Sequence, residues 1–172
     1  MIQTHIEQLR LLTTTRKDVP VIHHYIKQMA IYEKLEDQMQ ATESLLEQSL
    51  FVQHAAEVFL IEYDLKICGF VLITKNFSTF VGKPGMYLED IYVDENLRGL
   101  GIGSEIFVQL AKIAQDRNYG RLEWCCLNWN EPSIQFYLKM GATVMEDWKT
   151  YRLNEQSMTD LVENKSKRKG IR

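Results

Sequence analysis

The spacing of hydrophobic residues changes several times along the 172-residue chain, and each change predicts a new element. A short strand is predicted over residues 9–12. Apolar residues then recur at helical spacing from Val19 to about Leu35, with Asp18 placed to cap that helix. Thr42 begins a second predicted helix. The chain is therefore expected to form two helices before its main run of strands.

The middle and the end of the chain alternate between strand-like and helix-like segments. Residues 58–61 and 67–74 predict an antiparallel strand pair, and residues 76–85 predict a loop. The remaining predicted elements, in chain order, are a strand over 86–93, a glycine-containing loop over 98–104, an amphipathic helix directly after it, a strand over 122–127, a helix from Asn130 to Gly141, and strands over 143–145 and 150–153.

This order of elements predicts an α/β fold with a mixed central sheet flanked by helices. No internal repeat, low-complexity stretch or Pro/Gly/Ser linker interrupts it. We therefore expect one domain over residues 1–155 and a polar, basic tail over residues 156–172. The basic run at 165–169 is expected to be a solvated terminus, and a contact with phosphate is the alternative.

The balance of charged residues limits the classes of partner that the protein is expected to bind. Twenty Lys and Arg residues against 23 Asp and Glu residues give a net charge of −3, without the basic footprint of a duplex-binding domain. No apolar run approaches the ~18 residues of a membrane helix. The N-terminus lacks the basic start and apolar block of a secretory signal. We expect a cytoplasmic protein that binds neither nucleic acid nor membrane.

Three cysteines, Cys68, Cys125 and Cys126, are present, and they form no C-x-x-C pair. The adjacent Cys125 and Cys126 lie in an apolar segment, which predicts reduced and buried thiols. A catalytic cysteine needs a base beside it, and the sequence places no histidine there. Cysteine chemistry is therefore not expected.

The most informative segment is the glycine loop between the strand over 86–93 and the amphipathic helix. Its pattern is Arg98-x-x-Gly101-x-Gly103. A helix N-terminus presents unpaired N–H groups and the positive end of the helix dipole, and glycines allow that backbone to surround an anion. The string is not a Walker A loop, and it misses the dinucleotide-binding fingerprint because Ser104 stands at the last glycine position. The loop predicts phosphate binding by another class of protein.

This pattern and three further blocks resemble the GNAT superfamily, whose members are acyltransferases that use acetyl-coenzyme A. The resemblance is nearest to the diamine, or spermidine/spermine, N-acetyltransferase branch and covers roughly residues 9–153. It implies the GNAT fold, acetyl-CoA as co-substrate and no metal. The other three blocks are Tyr87-Leu88-Glu89-Asp90, Trp129-Asn130-Glu131-Pro132-Ser133-Ile134-x-Phe136-Tyr137 and Gly141-Ala142.

The resemblance implies three sets of coenzyme contacts. A bulge in the strand before the loop would free backbone groups for the acetyl and pantetheine parts, the loop would bind the diphosphate, and the following helix start would lie along the pantetheine arm. The implied residues are Ile91, Tyr92 and Val93 in the strand, Arg98, Gly99, Leu100, Gly101, Ile102, Gly103 and Ser104 in the loop, and Asn130, Ser133 and Tyr137 at the helix.

Two side chains are expected to move protons. Attack of an amine on a thioester expels a thiolate, and a tyrosine with an ordinary pKa near ~10 can protonate it. The resemblance implies that Tyr137 is this general acid, and a core aromatic is the alternative. The amine must lose a proton before it attacks, and Glu89 is the proposed base, through a water relay.

Amine recognition is predicted at the end of the first helix and in the Glu-Asp strand. The resemblance implies Tyr32, Glu33, Glu89 and Asp90 as substrate residues, with Glu36 and Asp37 as further acidic candidates. Residues 78–80 read Ser-Thr-Phe, whereas polyamine enzymes tend to have an acid there. Thialysine or another diamino acid is thus as plausible a substrate as spermidine.

Two other functions and one assembly stay open. A non-catalytic CoA-binding sensor on the same fold is the first alternative, and a protein or aminoglycoside acetyltransferase is the second. Both Glu89 and Tyr137 being present favours an enzyme. By analogy with related enzymes, a homodimer through residues 148–153 is expected.

Overall fold

A computed structural model describes residues 1–169 and contains six strands and five α-helices in that range. Short 3₁₀ turns connect several of them, and a π-helical turn over Gln48–Val52 extends the second helix. The elements in chain order are β1 (Ile2–Gln3), β2 (Leu9–Thr13), α1 (Val19–Glu33), α2 (Glu43–Glu47), β3 (Glu57–Tyr63), β4 (Lys66–Ser78), β5 (Lys83–Val93), α3 (Ile102–Asp116), β6 (Leu122–Trp124), α4 (Glu131–Lys139) and α5 (Glu155–Lys169).

The six strands form one mixed sheet in the order in which they occur along the chain. Each neighbouring pair from β1 to β5 is antiparallel, and β6 pairs with β5 in parallel through a crossover that contains α3. The predicted α/β fold with a mixed sheet is confirmed. The parallel pair is short, because β6 ends at Trp124 instead of continuing to residue 127 as predicted.

The described chain divides into two compact units, the first spanning Met1–Asn130 and the second beginning at Glu131. The sheet, α1, α2 and α3 belong to the first unit, and α4 and α5 belong to the second. The expected division into one domain over 1–155 and a tail stays a prediction. The tail contains the helix α5, and its last three residues lie outside the described residues.

The core of the first unit lies on both faces of the sheet. Ile22 and Tyr25 of α1 pack with Leu60 and Phe70 of the central strands. Side chains alternate between the faces of a strand, so Val71 points to the opposite face, where it is also buried. The amphipathic helix α3 buries its apolar stripe as its period predicts, and the fully enclosed side chains of that stripe are Ile102, Ile106 and Leu110.

Glu105 of α3 binds the N-terminal segment to the rest of the first unit through hydrogen bonds. Its carboxylate accepts hydrogen bonds from the His5 backbone N–H at 3.0 Å and from Gln109 Nε2 at 2.7 Å. Burial alone would raise the pKa of Glu105, but these bonds and the His5 ring outweigh it and lower the pKa. The short strand β1, which the hydrophobic pattern does not predict, belongs to this same segment.

Two predictions of local structure are wrong. Residues 143–145 and 150–153 are not strands, and no strand among the described residues pairs with them. A strand needs a neighbouring edge, and in this single chain Val144, Trp148 and Tyr151 are exposed. The predicted loop over 76–85 is largely a hairpin, because β4 and β5 stay paired as far as Ser78 and Lys83.

Two residues, Thr42 and Gly69, shape the local structure of the first unit. The Thr42 side chain accepts a hydrogen bond from the Leu45 N–H and caps α2. A Cβ at Gly69 in β4 would collide with the Tyr92 carbonyl oxygen, so the glycine allows β4 to approach β5 closely. Within the described residues, every helix is too short or too polar to cross a bilayer.

Candidate active site

The strand β5 changes partners at Glu89. On one side, the register with β4 shifts so that Leu72 faces Asp90 while Ile73 faces Leu88, which leaves Glu89 as the extra residue of a β-bulge. On the other side, the parallel pairing with β6 ends at Leu88. The bulge is therefore two residues earlier than the expected position at 91–93. No described strand pairs with β5 beyond Leu88 on the β6 side, so backbone groups between Glu89 and Val93 are left for another partner.

The predicted phosphate loop has the backbone that its glycines require. Gly99 and Gly101 have φ angles of 84° and 80°, in the left-handed region that side-chain-bearing residues avoid. Gly101 is the N-cap residue of α3, and open space surrounds the position where its Cβ would be. Glycine is therefore needed at position 101 for its left-handed φ angle, and not because a side chain would lack room. The first N–H groups of a fifteen-residue helix lie directly after it.

Arg98 lies at the start of this loop and is held by aromatic and polar neighbours. Its guanidinium carbon is 4.3 Å from the centre of the Tyr32 ring and 5.8 Å from that of Tyr92. Its Nε donates a hydrogen bond of 3.2 Å to the Val93 carbonyl oxygen, and Nη1 is 3.8 Å from a Glu95 carboxylate oxygen. The side chain is 39% exposed, so part of the cation faces solvent.

The end of α1 meets the turn that follows β6. The Tyr32 hydroxyl donates a hydrogen bond of 3.2 Å to Asn130 Oδ1, and its ring centre is 6.0 Å from that of Trp129. Lys34 adopts a left-handed conformation that ends the helix, and its Nζ is 5.7 Å from the centre of the Trp129 ring. Asn130 is buried. The structure thus brings predicted substrate and coenzyme residues to one place in the first unit.

Three carboxylates are close enough to influence one another electrostatically. Burial, and then the charges of Glu89 and Glu33, raise the pKa of Asp90 from 3.8 to about 7. Burial also raises the pKa of Glu33. A carboxylate with a pKa near neutrality can both accept and release a proton at physiological pH. The sequence alone predicts only a substrate role for Asp90, and its raised pKa makes it a candidate for proton transfer as well.

A groove of about 430 Å³ lies beside Arg98, between α1 and the segment that follows β5. Neither Gln28 nor Asp94 of this groove belongs to a motif in the sequence. Gln28 is four residues before Tyr32, so helical spacing places it on the same face of α1. Burial raises the pKa of Asp94, and His24 and Arg98 oppose that rise. The lining residues are Gln28, Ile31, Tyr32, Tyr92, Asp94, Glu95 and Asn96.

Two predicted site residues belong to the second unit. Ser133 and Tyr137 are four residues apart on α4, so they share one face of that helix, and both are half-buried. The centres of the Phe136 and Tyr137 rings are 5.4 Å apart. Gly141 ends the helical segment with a φ of 88°, as its position predicts.

The two adjacent cysteines differ from prediction. Cys125 is exposed and Cys126 is half-buried, whereas both were expected to be buried; Cys68 is buried. Cys125 directly follows β6, where the strand has already left β5, so it lacks a covering neighbour. Its sulfur accepts a hydrogen bond of 3.1 Å from the Tyr87 hydroxyl, which is the largest of the effects that raise the pKa of Tyr87.

The short parallel pair of β5 and β6, the bulge at Glu89 and the glycine loop at a helix N-terminus agree with the fold that the resemblance implies. The family comparison agrees. The model of the Acetyltransferase (GNAT) family matches residues 21–142, and the chain belongs to this family. The protein is therefore an acetyltransferase that uses acetyl-CoA, as the resemblance predicts, and the resemblance itself is confirmed.

Individual relatives agree with the family assignment. The chain is 32% identical to an L-ornithine N5-acetyltransferase of Arabidopsis thaliana over 88% of its length and 86% of that protein. It is also 32% identical to a thialysine N-epsilon-acetyltransferase of Bos taurus, over 79% of this chain and 86% of that one. A solved integron cassette protein of V. cholerae has the same fold, with a TM-score of 0.74 and 24% identity over 90% of this chain and 98% of that chain.

Proposed function

We propose that the protein transfers an acetyl group from acetyl-CoA to a primary amine of a small diamino compound by direct attack. The observation that carries this proposal is the carboxylate Asp90, which is half-buried at the bulge of β5 and whose pKa burial and two neighbouring carboxylates raise to about 7. An ammonium group with a pKa near ~10 needs a partner that both binds its charge and takes its proton. Asp90, Glu89 and Glu33 supply those two functions together.

The proposed proton path begins at the bulge of β5. Glu89 is exposed, whereas Asp90 is more deeply placed. In this proposal Glu89 contacts the amine through water, as the sequence suggests, and the neighbouring Asp90 holds the proton. The neutral nitrogen then attacks the thioester carbonyl carbon, and the carbon–sulfur bond breaks.

The leaving thiolate needs a proton, and Tyr137 is the proposed donor. Its phenol transfers a proton to sulfur, and the phenolate then takes the second proton that the acylated nitrogen loses. The reaction thus releases one net proton, which Asp90 passes to solvent. This role rests on the motif Asn130-Glu131-Pro132-Ser133 with the tyrosine four residues later. Ser133, one turn earlier on the same helical face, is proposed to bind the pantetheine arm.

The coenzyme is proposed to bind along β5 and the glycine loop. Backbone groups between Ile91 and Val93 would bind the pantetheine arm. The N–H groups of residues 98–104, together with the Arg98 guanidinium, would bind the diphosphate. The left-handed backbone at Gly99 and Gly101 supports this assignment, because it exposes successive N–H groups before the α3 N-terminus.

A diamino acid or a diamine fits the amine site better than a neutral monoamine. The three carboxylates can balance more than one positive charge, and Lys34 at the same helix end could pair with a substrate carboxylate. The names of two relatives, acetyltransferases of ornithine and thialysine, favour diamino acids. The Tyr32 side chain at the end of α1 and the Asn130 side chain to which it bonds would complete the pocket.

The test is a thiol-release assay with acetyl-CoA and a panel of amines. Ornithine, thialysine, lysine, putrescine and spermidine are the candidate substrates, with an aminoglycoside and a basic peptide as comparison classes. We expect turnover on the small diamino compounds. Turnover confined to the peptide or the aminoglycoside would refute the substrate assignment, and coenzyme binding without any turnover would favour the sensor alternative.

We further propose that the protein acts in the cytoplasm as a homodimer. Residues 142–154 form no strand in the single chain, and Trp148, Tyr151 and Leu153 are 71%, 87% and 56% exposed. Apolar side chains at this exposure favour cover by a second copy. Light scattering after size-exclusion chromatography tests this: a Trp148→Asp variant should elute as a monomer if the wild type is a dimer.

A further inference from the structure

Tyr32 contacts two segments of the first unit that are distant in sequence, the start of the glycine loop and the turn after β6. Its ring lies 4.3 Å from the guanidinium carbon of Arg98. Its hydroxyl donates to Asn130 Oδ1 at 3.2 Å, and its ring centre is 6.0 Å from that of Trp129. The resemblance gives Tyr32 only a substrate role, yet its contacts are to residues assigned to the coenzyme.

The aromatic ring restrains Arg98 at the mouth of the loop. An arginine side chain carries considerable rotamer entropy, and binding an anion costs less when that freedom is already lost. The ion pair with Glu95 is long, at 3.8 Å between exposed groups, and contributes little to this restraint. Stacking on Tyr32 and the hydrogen bond to the Val93 carbonyl oxygen remain as the main restraints.

The hydroxyl acts on a different partner. Asn130 is 6% exposed, and its backbone N–H closes the turn by donating to the Leu127 carbonyl oxygen at 2.9 Å. The bond from Tyr32 fixes the side-chain amide of Asn130 in that buried place. The ring and the hydroxyl of Tyr32 thus position two separate groups, and a substitution can remove one and retain the other.

We propose that Tyr32 is a positioning residue that orients Arg98 and Asn130 for the coenzyme. The ring stacks on the Arg98 guanidinium and the hydroxyl bonds to the Asn130 side chain, so one residue of α1 holds both groups. This inference rests on the proposed diphosphate site.

The experiment is a double-mutant cycle on the Kd of acetyl-CoA, measured by calorimetry without amine. Arg98→Gln removes the cation, and Tyr32→Leu removes the ring. We expect Tyr32→Leu alone to raise the Kd about three- to tenfold, the range for a partly exposed cation–aromatic contact. In the Arg98→Gln background the same change should alter the Kd less than twofold, since its partner is gone.

The hydroxyl is tested by Tyr32→Phe, which keeps the ring. The expected result is an acetyl-CoA Kd within twofold of the wild type and a kcat about three- to tenfold lower, because Asn130 loses its restraint. Lys27→Gln is the matched control, because it removes an exposed cation of the same helix that lies outside the proposed sites. It should leave the acetyl-CoA Kd unchanged.

The outcomes separate this inference from the proposed function. An unchanged Kd in Arg98→Gln would refute the diphosphate site itself. A weaker Kd in Arg98→Gln, with an effect of Tyr32→Leu that simply adds to it, would refute only the positioning role. If Tyr32→Leu does not fold, Tyr32→Phe decides the case. Equal losses of acetyl-CoA affinity and of kcat would overturn the inference, whereas a lower kcat with an unchanged Kd would support it.

Discussion

Replacing Asp90 by asparagine should stabilise the protein at alkaline pH while it removes activity. Burial and the charges of Glu89 and Glu33 raise the pKa of Asp90 from 3.8 to about 7, so the folded state disfavours the ionised form. At about 1.4 kcal/mol per pH unit, that difference corresponds to a cost of roughly 4 kcal/mol at pH 8. Because the asparagine amide needs its own hydrogen-bond partners, we expect a net gain of about 1–3 kcal/mol in unfolding free energy.

The pH dependence of this gain identifies its cause. Between pH 4 and 7 the folded wild type retains the Asp90 proton and the unfolded chain does not, so the penalty grows as pH rises through this window and is constant above it. Urea unfolding at pH 8 and pH 5.5 should therefore show an advantage of Asp90→Asn that is smaller by about 2 kcal/mol at the lower pH. An asparagine variant that is less stable than wild type at both values would refute the reasoning.

The kinetic consequence is measured in the same variants. In the wild type, kcat/KM should fall below an apparent pKa near 7, and Asp90→Asn should lower it about 10²- to 10⁴-fold at every pH. Glu33→Gln removes a charge that raises the pKa of Asp90, so the acidic limb of the wild-type profile of kcat/KM against pH should move to lower pH. Glu43→Gln, which changes an exposed carboxylate at the start of α2, is the control and should leave the acidic limb in place.

Three further changes test the loop, the proton donor and the N-terminal anchor. Gly101→Ala should cost about 1–2 kcal/mol of stability and weaken acetyl-CoA binding. The control is Gly82→Ala at the hairpin tip, where φ is similar; it should cost as much stability without affecting binding. Equal acetyl-CoA affinities in the two variants would contradict the loop assignment. Tyr137→Phe should lower kcat about 10²-fold or more with the acetyl-CoA Kd within twofold, and unchanged turnover would exclude the general-acid role. Glu105 has a lowered pKa, so its ionised form stabilises the fold above pH 4.5, and this contribution is lost as pH falls. In acid titrations, Glu105→Gln should therefore be less stable than wild type near neutrality, and the difference should disappear toward pH 3. A difference that stays constant with pH would show that the charge of Glu105 is irrelevant.

The order of helices and strands follows from the sequence because the first unit is built from strongly periodic segments. The helix α3 has an apolar residue at nearly every position that faces the sheet, and Thr42 and Gly101 mark helix starts by residue type alone. The wrong predictions concern segments whose structure depends on pairing with another strand. Residues 143–145 have strand-like composition, but a strand forms only against a free edge, and composition cannot reveal whether that edge is available.

The candidate site shows the same division between local and long-range causes. The glycine loop is local, so its residues and its backbone could be predicted together. The pKa of Asp90 depends on Glu33, which is 57 positions earlier. In an unbulged strand, Glu89 and Asp90 would face opposite sides of the sheet. The extra residue at Glu89 interrupts that alternation, so the face that each carboxylate takes depends on a register shift between β4 and β5, which no motif reveals.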